Sequence, residues 1–339
     1  MSDIINILKS LCSFCGISGD EGDIREFITE NIKDHCEYTV DNLGNITAFK
    51  KGKNKSEKKV MCDAHMDEVG FIITDITPDG FLKFASVGGI DPSVMPAAKA
   101  LIGKNKIPGV LGIKPIHLSE KSELKNPPKE SSLYIDIGAK SREEALKAVK
   151  IGDSAVMEGE FLLCGDYILS KAIDDRVGCA VLIKLLQESA DYDFYASFSV
   201  QEEVGLRGAA TSCYSINPDY AVVLDATTAS DIAGSKPEEQ VCNLGEGAVV
   251  SFMDRATLYD KKLYDAALNS GIKCQPKRAV AGGNNSGRIH LSRGGVRTIA
   301  LSLPCRYIHS PSSVGNINDV NSLFEISKYM ISLCASGKI

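Results

Sequence analysis

Two hydrophobic periodicities share this chain, and the point where one interrupts the other narrows the folds open to it. Ile4, Ile7, Leu8 and Leu11 recur at helical spacing, with Asp3 as a cap and Gly16 as a stop. After Ser18-Gly19-Asp20-Glu21 the same spacing returns in Ile24, Phe27, Ile28 and Ile32. Residues 37–41 and 46–50 predict a hairpin around Asn42-Leu43-Gly44-Asn45, and residues 60–64 a buried strand ending at His65. Beyond Gly165, residues 173–187, 259–269 and 320–331 read as helices, and residues 194–200, 220–224 and 296–301 as strands. Strands alternating with helices predict an α/β fold whose mixed, largely parallel sheet is sandwiched by helices.

From Val69 to Leu163 the pattern changes. Short alternating runs at 70–76, 81–85, 100–102, 109–113, 133–137, 153–157 and 160–163 are separated by Gly, Pro and Asp, and only 142–149 has a helical period. This texture predicts a small β-barrel-like module set into the chain. The expected division is an α/β domain in two parts, 1–68 and 165–339, with an inserted β-rich domain at 69–164. A length of 339 residues fits about two domains.

Charge and composition exclude several classes. Lys and Arg total 38 against 44 Asp and Glu, a net charge of −6, which disfavours nucleic acid as a partner. The Lys-rich stretch 50–59 has no apolar period and is expected to be a solvated loop. No apolar run approaches the roughly 18 residues of a membrane span. The opening MSDIINILKSLCSF lacks a basic segment and a cleavage site, so a cytoplasmic location is expected. Eleven cysteines without repeating spacing suit reduced thiols. Cys12 and Cys15 form a C-x-x-C, but no second pair completes a zinc site, so both are assigned to the core with Ile4, Ile5, Leu8 and Leu11.

Polar residues placed directly after apolar strands carry the chemical signal, because ligands in open α/β sheets bind at the carboxyl ends of strands. His65 ends one strand, with Asp67 two residues on. Glu202-Glu203 follow another, Asp225 ends YAVVLD, and His309 follows TIALSLPCRYI. Asp174-Asp175 open a helix. Singly, each has a plain explanation: a satisfied histidine, a helix cap, a surface acid. Together, two histidines and three ligating carboxylates suit a hydrolytic site for Zn²⁺ or Co²⁺ rather than a thiolate zinc. A bridging carboxylate would let five side chains hold two ions about 3.5–4 Å apart, leaving one Glu of the pair as a base.

The segments CGISGDEGDIREFI, DNLGN, AHMDEVGFI, GVLGIKPIHL, LYIDIGA, KAIDDRVG, QEEVGLRGA and PCRYIHSP, in this order, resemble the glutamyl aminopeptidase/cellulase-M type of metallo-aminopeptidases. That resemblance covers nearly the whole chain and implies a zinc-exopeptidase-like fold with an inserted dimerisation domain. It implies that Asp174 bridges two divalent metals, that Glu203 and His309 complete one, and that His65 and Asp225 complete the other. Zn²⁺ or Co²⁺ is expected, with Mn²⁺ as a further option. Glu202 would be the general base and Asp67 the carboxylate that orients His65. Dimers would assemble into a dodecamer, a tetrahedral particle acting on peptides. The chain departs from the family at Gly282-Gly283-Asn284-Asn285-Ser286, where relatives carry a Gly-Gly-Thr-Asp-Ala type stretch, and in the loop around Asp231. No role is carried over to Asn285.

The expected activity is removal of N-terminal residues from peptides by metal-activated water. Two other readings are a metal-independent glycoside hydrolase, disfavoured by two well-placed histidines and the absence of Trp, and a non-catalytic scaffold with a relic site. Of the remaining histidines, His117 is expected to serve structure or an interface, His290 to pack beneath the site, and His35 to cap a helix.

Overall fold

A computed structural model describes residues 2–120 and 125–339. Two helices, α1 (Ser2–Ser13) and α2 (Gly22–Ile32), open the chain, followed by strands β1 (Glu37–Val40), β2 (Ile46–Lys50) and β3 (Val60–His65). The middle of the chain supplies β4 (Gly70–Ile76), β5 (Leu82–Val87), β6 (Lys99–Ile102), β7 (Ile107–Gly112), β8 (Tyr134–Asp136), α3 (Arg142–Ala145) and β9 (Ser154–Met157). Then come β10 (Leu162–Cys164), β11 (Tyr167–Ser170), α4 (Ile173–Gln187), β12 (Phe194–Ser199), α5 (Arg207–Ile216), β13 (Tyr220–Thr228) and β14 (Ala248–Val250). The chain closes with α6 (Lys261–Leu268), β15 (Cys274–Pro276), α7 (Ser286–Ile289), β16 (Arg297–Cys305), β17 (Ser313–Asn316) and α8 (Ile317–Ala335).

An eight-stranded sheet runs β1-β2-β12-β3-β13-β16-β14-β15. Its centre, β12-β3-β13-β16, is parallel, and antiparallel pairs flank it on both sides. This is the expected mixed α/β fold. Alternation divides each central strand between two faces. Val60, Cys62, Ala64, Val222, Leu224, Leu301 and Leu303 join α1, α2, α4 and α8 in the main core. Met61, Ala221 and Val223 face the other way, onto Ala209, Cys213 and Ile289. The second face also carries Asp63, Ser197, Ser199, Asp225 and Ser302, all buried. A thin apolar layer with buried polar residues beside it therefore leads to the carboxyl ends of the strands.

Strands β4 to β9 close a barrel in the order β4-β5-β8-β7-β6-β9, filled by Phe71, Ile73, Ile76, Leu82, Ile102, Leu111 and Ile135. Closure removes the exposed edges that such short strands would otherwise present.

Several local expectations need correction. The run 160–163 does not join the barrel: Leu162–Cys164 turns back at Gly165 and pairs with β11, which pairs with β17. Alternation gives a strand's faces but not its partner. The helix expected at 142–149 ends at Ala145, since the Gly152 N–H donates to the Ile73 carbonyl at 2.8 Å and draws the chain onto β4. Asp3 lies inside the first turn of α1, paired with Lys184 at 3.2 Å, rather than at a cap. Helix α5 had little sequence signal, because its buried side, Gly208, Ala209, Ser212, Cys213 and Ile216, carries a single large apolar residue.

Candidate metal centre

The carboxyl end of β3 delivers His65, and the chain then turns through Asp67, which is fully buried. The Asp67 carboxylate accepts hydrogen bonds from Ser18 Oγ at 2.5 Å, Glu202 N at 3.0 Å and Glu203 N at 3.1 Å. His65 Nδ1 stands 3.1 Å from the Asp67 backbone oxygen and 3.4 Å from its Oδ1. One aspartate thus positions both the imidazole and the loop after β12 that carries the paired glutamates. Burial pushes the Asp67 pKa up, but His65 and these donors outweigh it and hold the acid below its ordinary value.

Asp225 lies within β13, which runs on to Thr228 rather than ending at the aspartate. The parallel pairing sets Val223 opposite Asp63, so two residues further on Asp225 stands level with His65. Asp174 and Asp175 open α4 in non-helical conformation. Asp175 does the capping: its Oδ1 accepts Gly178 N at 3.0 Å and its Oδ2 accepts His65 N at 3.1 Å. A Cβ at position 178 would stand 2.5 Å from both Asp175 oxygens, so glycine is required there. Asp174 is left to face the site. His309 follows β16 on a turn with φ +61°, and its Nδ1 stands 2.7 Å from the Gly89 carbonyl oxygen, in the segment between β5 and β6.

These residues converge. His65 Nε2 lies 3.2 Å from Asp174 Oδ1 and 3.9 Å from Asp225 Oδ1. His309 Nε2 lies 3.4 Å from Asp174 Oδ2 and 3.1 Å from Glu203 Oε1. Among the described residues, three groupings have ligand atoms within 4.8 Å of one another: His65/Asp174/Asp225, Asp174/Glu203/His309 and His65/Glu202/Glu203. The first two share Asp174, one oxygen toward each imidazole.

The donor chemistry fits divalent cations. Each histidine turns Nδ1 to a backbone carbonyl, which can only accept, so the ring proton sits on Nδ1 and Nε2 is free to ligate. The charge balance points the same way. Burial drives Glu202, Glu203 and Asp225 above the ordinary carboxylate range, and neighbouring carboxylates reinforce it. Burial lowers the His309 pKa, but Asp174 and Glu203 outweigh it and raise it to about 11. His65 is raised in the same way by Asp174 and Asp67. Without further positive charge, this many buried carboxylates must hold protons; bound divalent cations relieve that.

A cavity of about 180 Å³ opens beside these groups. His65, Asp174, Glu202, Glu203, Asp225 and His309 form one part of its lining; Thr227, Val241, Lys277 and residues 281–284 form another. The first three residues of the departing 282–286 stretch therefore form part of the cavity wall, and Asn285 anchors them. The Asn285 Nδ2 donates to Asp63 Oδ2 at 2.7 Å and to Ser199 Oγ at 2.8 Å. Asp231 accepts two hydrogen bonds from Arg306, at 2.7 and 2.8 Å.

Sequence reasoning overlooked the buried cluster in which Lys171 Nζ sits 2.7 Å from both Glu68 oxygens and Arg176 3.3 Å from one of them. Charged residues inside AHMDEVG and SKAIDDR were its only trace. Lys277 and the Gly89 carbonyl were also missed, the second because a backbone group leaves no mark on residue type. His290 is not beneath the site; it follows α7, with Nδ1 2.6 Å from Ser286 O, and borders a surface depression with Leu258 and Val296.

Residues 44–326 match the family of M42 glutamyl aminopeptidases. A protein of Acetivibrio thermocellus is 42% identical over 96% of this chain and 97% of its own. The lysyl aminopeptidase of Pyrococcus furiosus is 30% identical, covering 96% of each chain. The TET1 peptidase of Pyrococcus horikoshii, which can assemble into a tetrahedron or a large octahedral shell, superposes with a TM-score of 0.84 at 33% identity, over 98% of this chain and 99% of its own.

Proposed function

The chain belongs to the M42 glutamyl aminopeptidase family and is an aminopeptidase, and from that premise we propose that it works with two divalent cations and Glu202 as general base. Asp174 would be shared by both sets of ligands, His65 and Asp225 would complete one set, and Glu203 and His309 would complete the other. The observation that carries this is the division of Asp174, with Oδ1 toward His65 and Oδ2 toward His309. When bound, Zn²⁺, Co²⁺ or Mn²⁺ supplies Lewis acidity for the scissile carbonyl and lowers the pKa of the attacking water.

The chain's own residues do the rest. Glu202 faces the cavity with its backbone N–H held by Asp67, so a side-chain oxygen can take the water proton and return it to the leaving amine. Asp67 acts as a positioning residue for His65 and for the Glu202-Glu203 loop. Sugar hydrolysis is not favoured, because the carboxylates gather around two imidazoles instead of facing one another across a bond. Residues 69–164 are assigned as an inserted dimerisation domain, with dimers building a dodecamer. Among the described residues no helix is long and apolar enough to cross a membrane. All eleven cysteines are free, which supports a cytoplasmic setting.

The test is metal stripping and restoration. Chelated enzyme should lose peptidase activity and regain it with about two equivalents of one of these cations per subunit. Full activity in metal-free protein would overturn the reading.

A further inference from the structure

The family spans more than one substrate preference, as the lysyl enzyme of Pyrococcus furiosus illustrates, so membership leaves this chain's preference open. Lys277 narrows it. Its backbone N–H donates to the Val250 carbonyl at 2.9 Å, which ties it to the sheet beside β14. Its side chain lines the cavity next to the proposed metal ligands, yet the residue is only 7% exposed. Nζ donates to the Ala281 carbonyl at 2.8 Å, and no ion pair forms to any carboxylate among the described residues. The other buried cations, Lys171 and Arg176, both have Glu68.

A buried ammonium is costly unless an anion and hydrogen bonds offset the lost water. Lys277 has three N–H donors and one carbonyl to receive them. Among the described residues it is the one Lys or Arg lining this cavity, and the carboxylates that share it are committed to the cations and the base. The missing partner is an anion that enters with substrate. Building on the proposed aminopeptidase site, we infer that Lys277 is a specificity-determining residue that selects peptides with an acidic N-terminal residue, Glu or Asp, by pairing with its side-chain carboxylate. Thr227 and Asn284, on the same wall, offer further polar atoms to that carboxylate.

The experiment compares kcat/KM of metal-loaded enzyme for Glu-, Asp-, Leu- and Lys-p-nitroanilides, which carry no carboxylate except the side chain under test. Wild type should prefer Glu or Asp. In Lys277→Met the ratio of Glu to Leu should fall on the order of 100-fold, since truncating one partner of a buried charge pair is expensive. Lys277→Glu should move the preference toward Lys. Calorimetry of free L-glutamate and L-leucine binding to the same holoenzymes supplies a readout independent of turnover, and L-glutamate should lose its advantage in Lys277→Met. If Lys277 merely staples residues 281–284 through its carbonyl bond, the ratio stays within about threefold while all substrates slow together. That result, or wild-type enzyme turning over Leu or Lys in preference to Glu, overturns the inference and leaves the metal-and-base reading standing. Absence of turnover on all four substrates with metal bound would sink that reading instead, and the L-glutamate calorimetry would still decide Lys277.

Discussion

Replacing Glu202 by Gln tests the chemistry with little change of shape. The backbone N–H of residue 202 stays on Asp67 at 3.0 Å, so the loop should keep its course, and only the ability to carry a proton is lost. General-base catalysis contributes about 10²–10⁴ in rate, so kcat should fall by that factor, roughly 3–5 kcal/mol of barrier. The geometry also offers a rival: Glu202 belongs to one of the three possible ligand groupings, with His65 and Glu203. The assay must therefore pair kcat on an aminoacyl p-nitroanilide with metal content per subunit. Two metals retained with kcat lowered at least 100-fold supports a base. Near-normal kcat with two metals refutes it, and loss of one metal makes Glu202 a ligand.

Other predictions follow from the surrounding network. Lys171→Met leaves Glu68 with Arg176 as its one counter-charge beside the Gly16 N–H in a buried site, and should cost about 3 kcal/mol, read as a lower urea midpoint. Asn285→Asp replaces a double donor by an acceptor 2.7 Å from Asp63, whose pKa burial has already raised to about 6; the cavity wall should loosen and KM should rise more than kcat falls. His65 and His309 have raised pKa values in the metal-free protein and so carry protons near neutrality, but they must be neutral to ligate. Cation binding should release at least two protons per subunit, from these histidines and from the buried carboxylates that hold protons without metal, and tighten as pH rises, measurable by calorimetry in buffers of different ionisation enthalpy.

The sheet and barrel were readable because their strands are either buried on both faces, as in VMCDAH, or regularly alternating, as in GFIITDI. Residues 160–163 show the limit, since a three-residue strand fits a barrel or a separate hairpin equally well. The convergence of His65, Glu202-Glu203, Asp225 and His309 was legible because each stands in or just after a strand and the strands are parallel neighbours. The pair Asp174-Asp175 was legible at the start of a helix, but the choice of Asp174 came only from the family resemblance; its neighbour Asp175 takes the cap, and nothing in the letters Asp-Asp says which does what. The second-face polar residues Asp63, Ser199 and Asn285 come together across the sheet from distant parts of the chain. Gly88 hides a similar constraint: its φ is +85°, and a Cβ there would stand 2.7 Å from Val69 and 3.2 Å from Glu203.

The central claim is that Asp174 divides its two oxygens between two cations. Anomalous diffraction from crystals of the Zn²⁺-loaded enzyme tests it directly. The account predicts two peaks per subunit on either side of Asp174, one touching His65 and Asp225 and the other Glu203 and His309, with Glu202 outside both coordination shells. A single peak, or one bonded to Glu202, would contradict it.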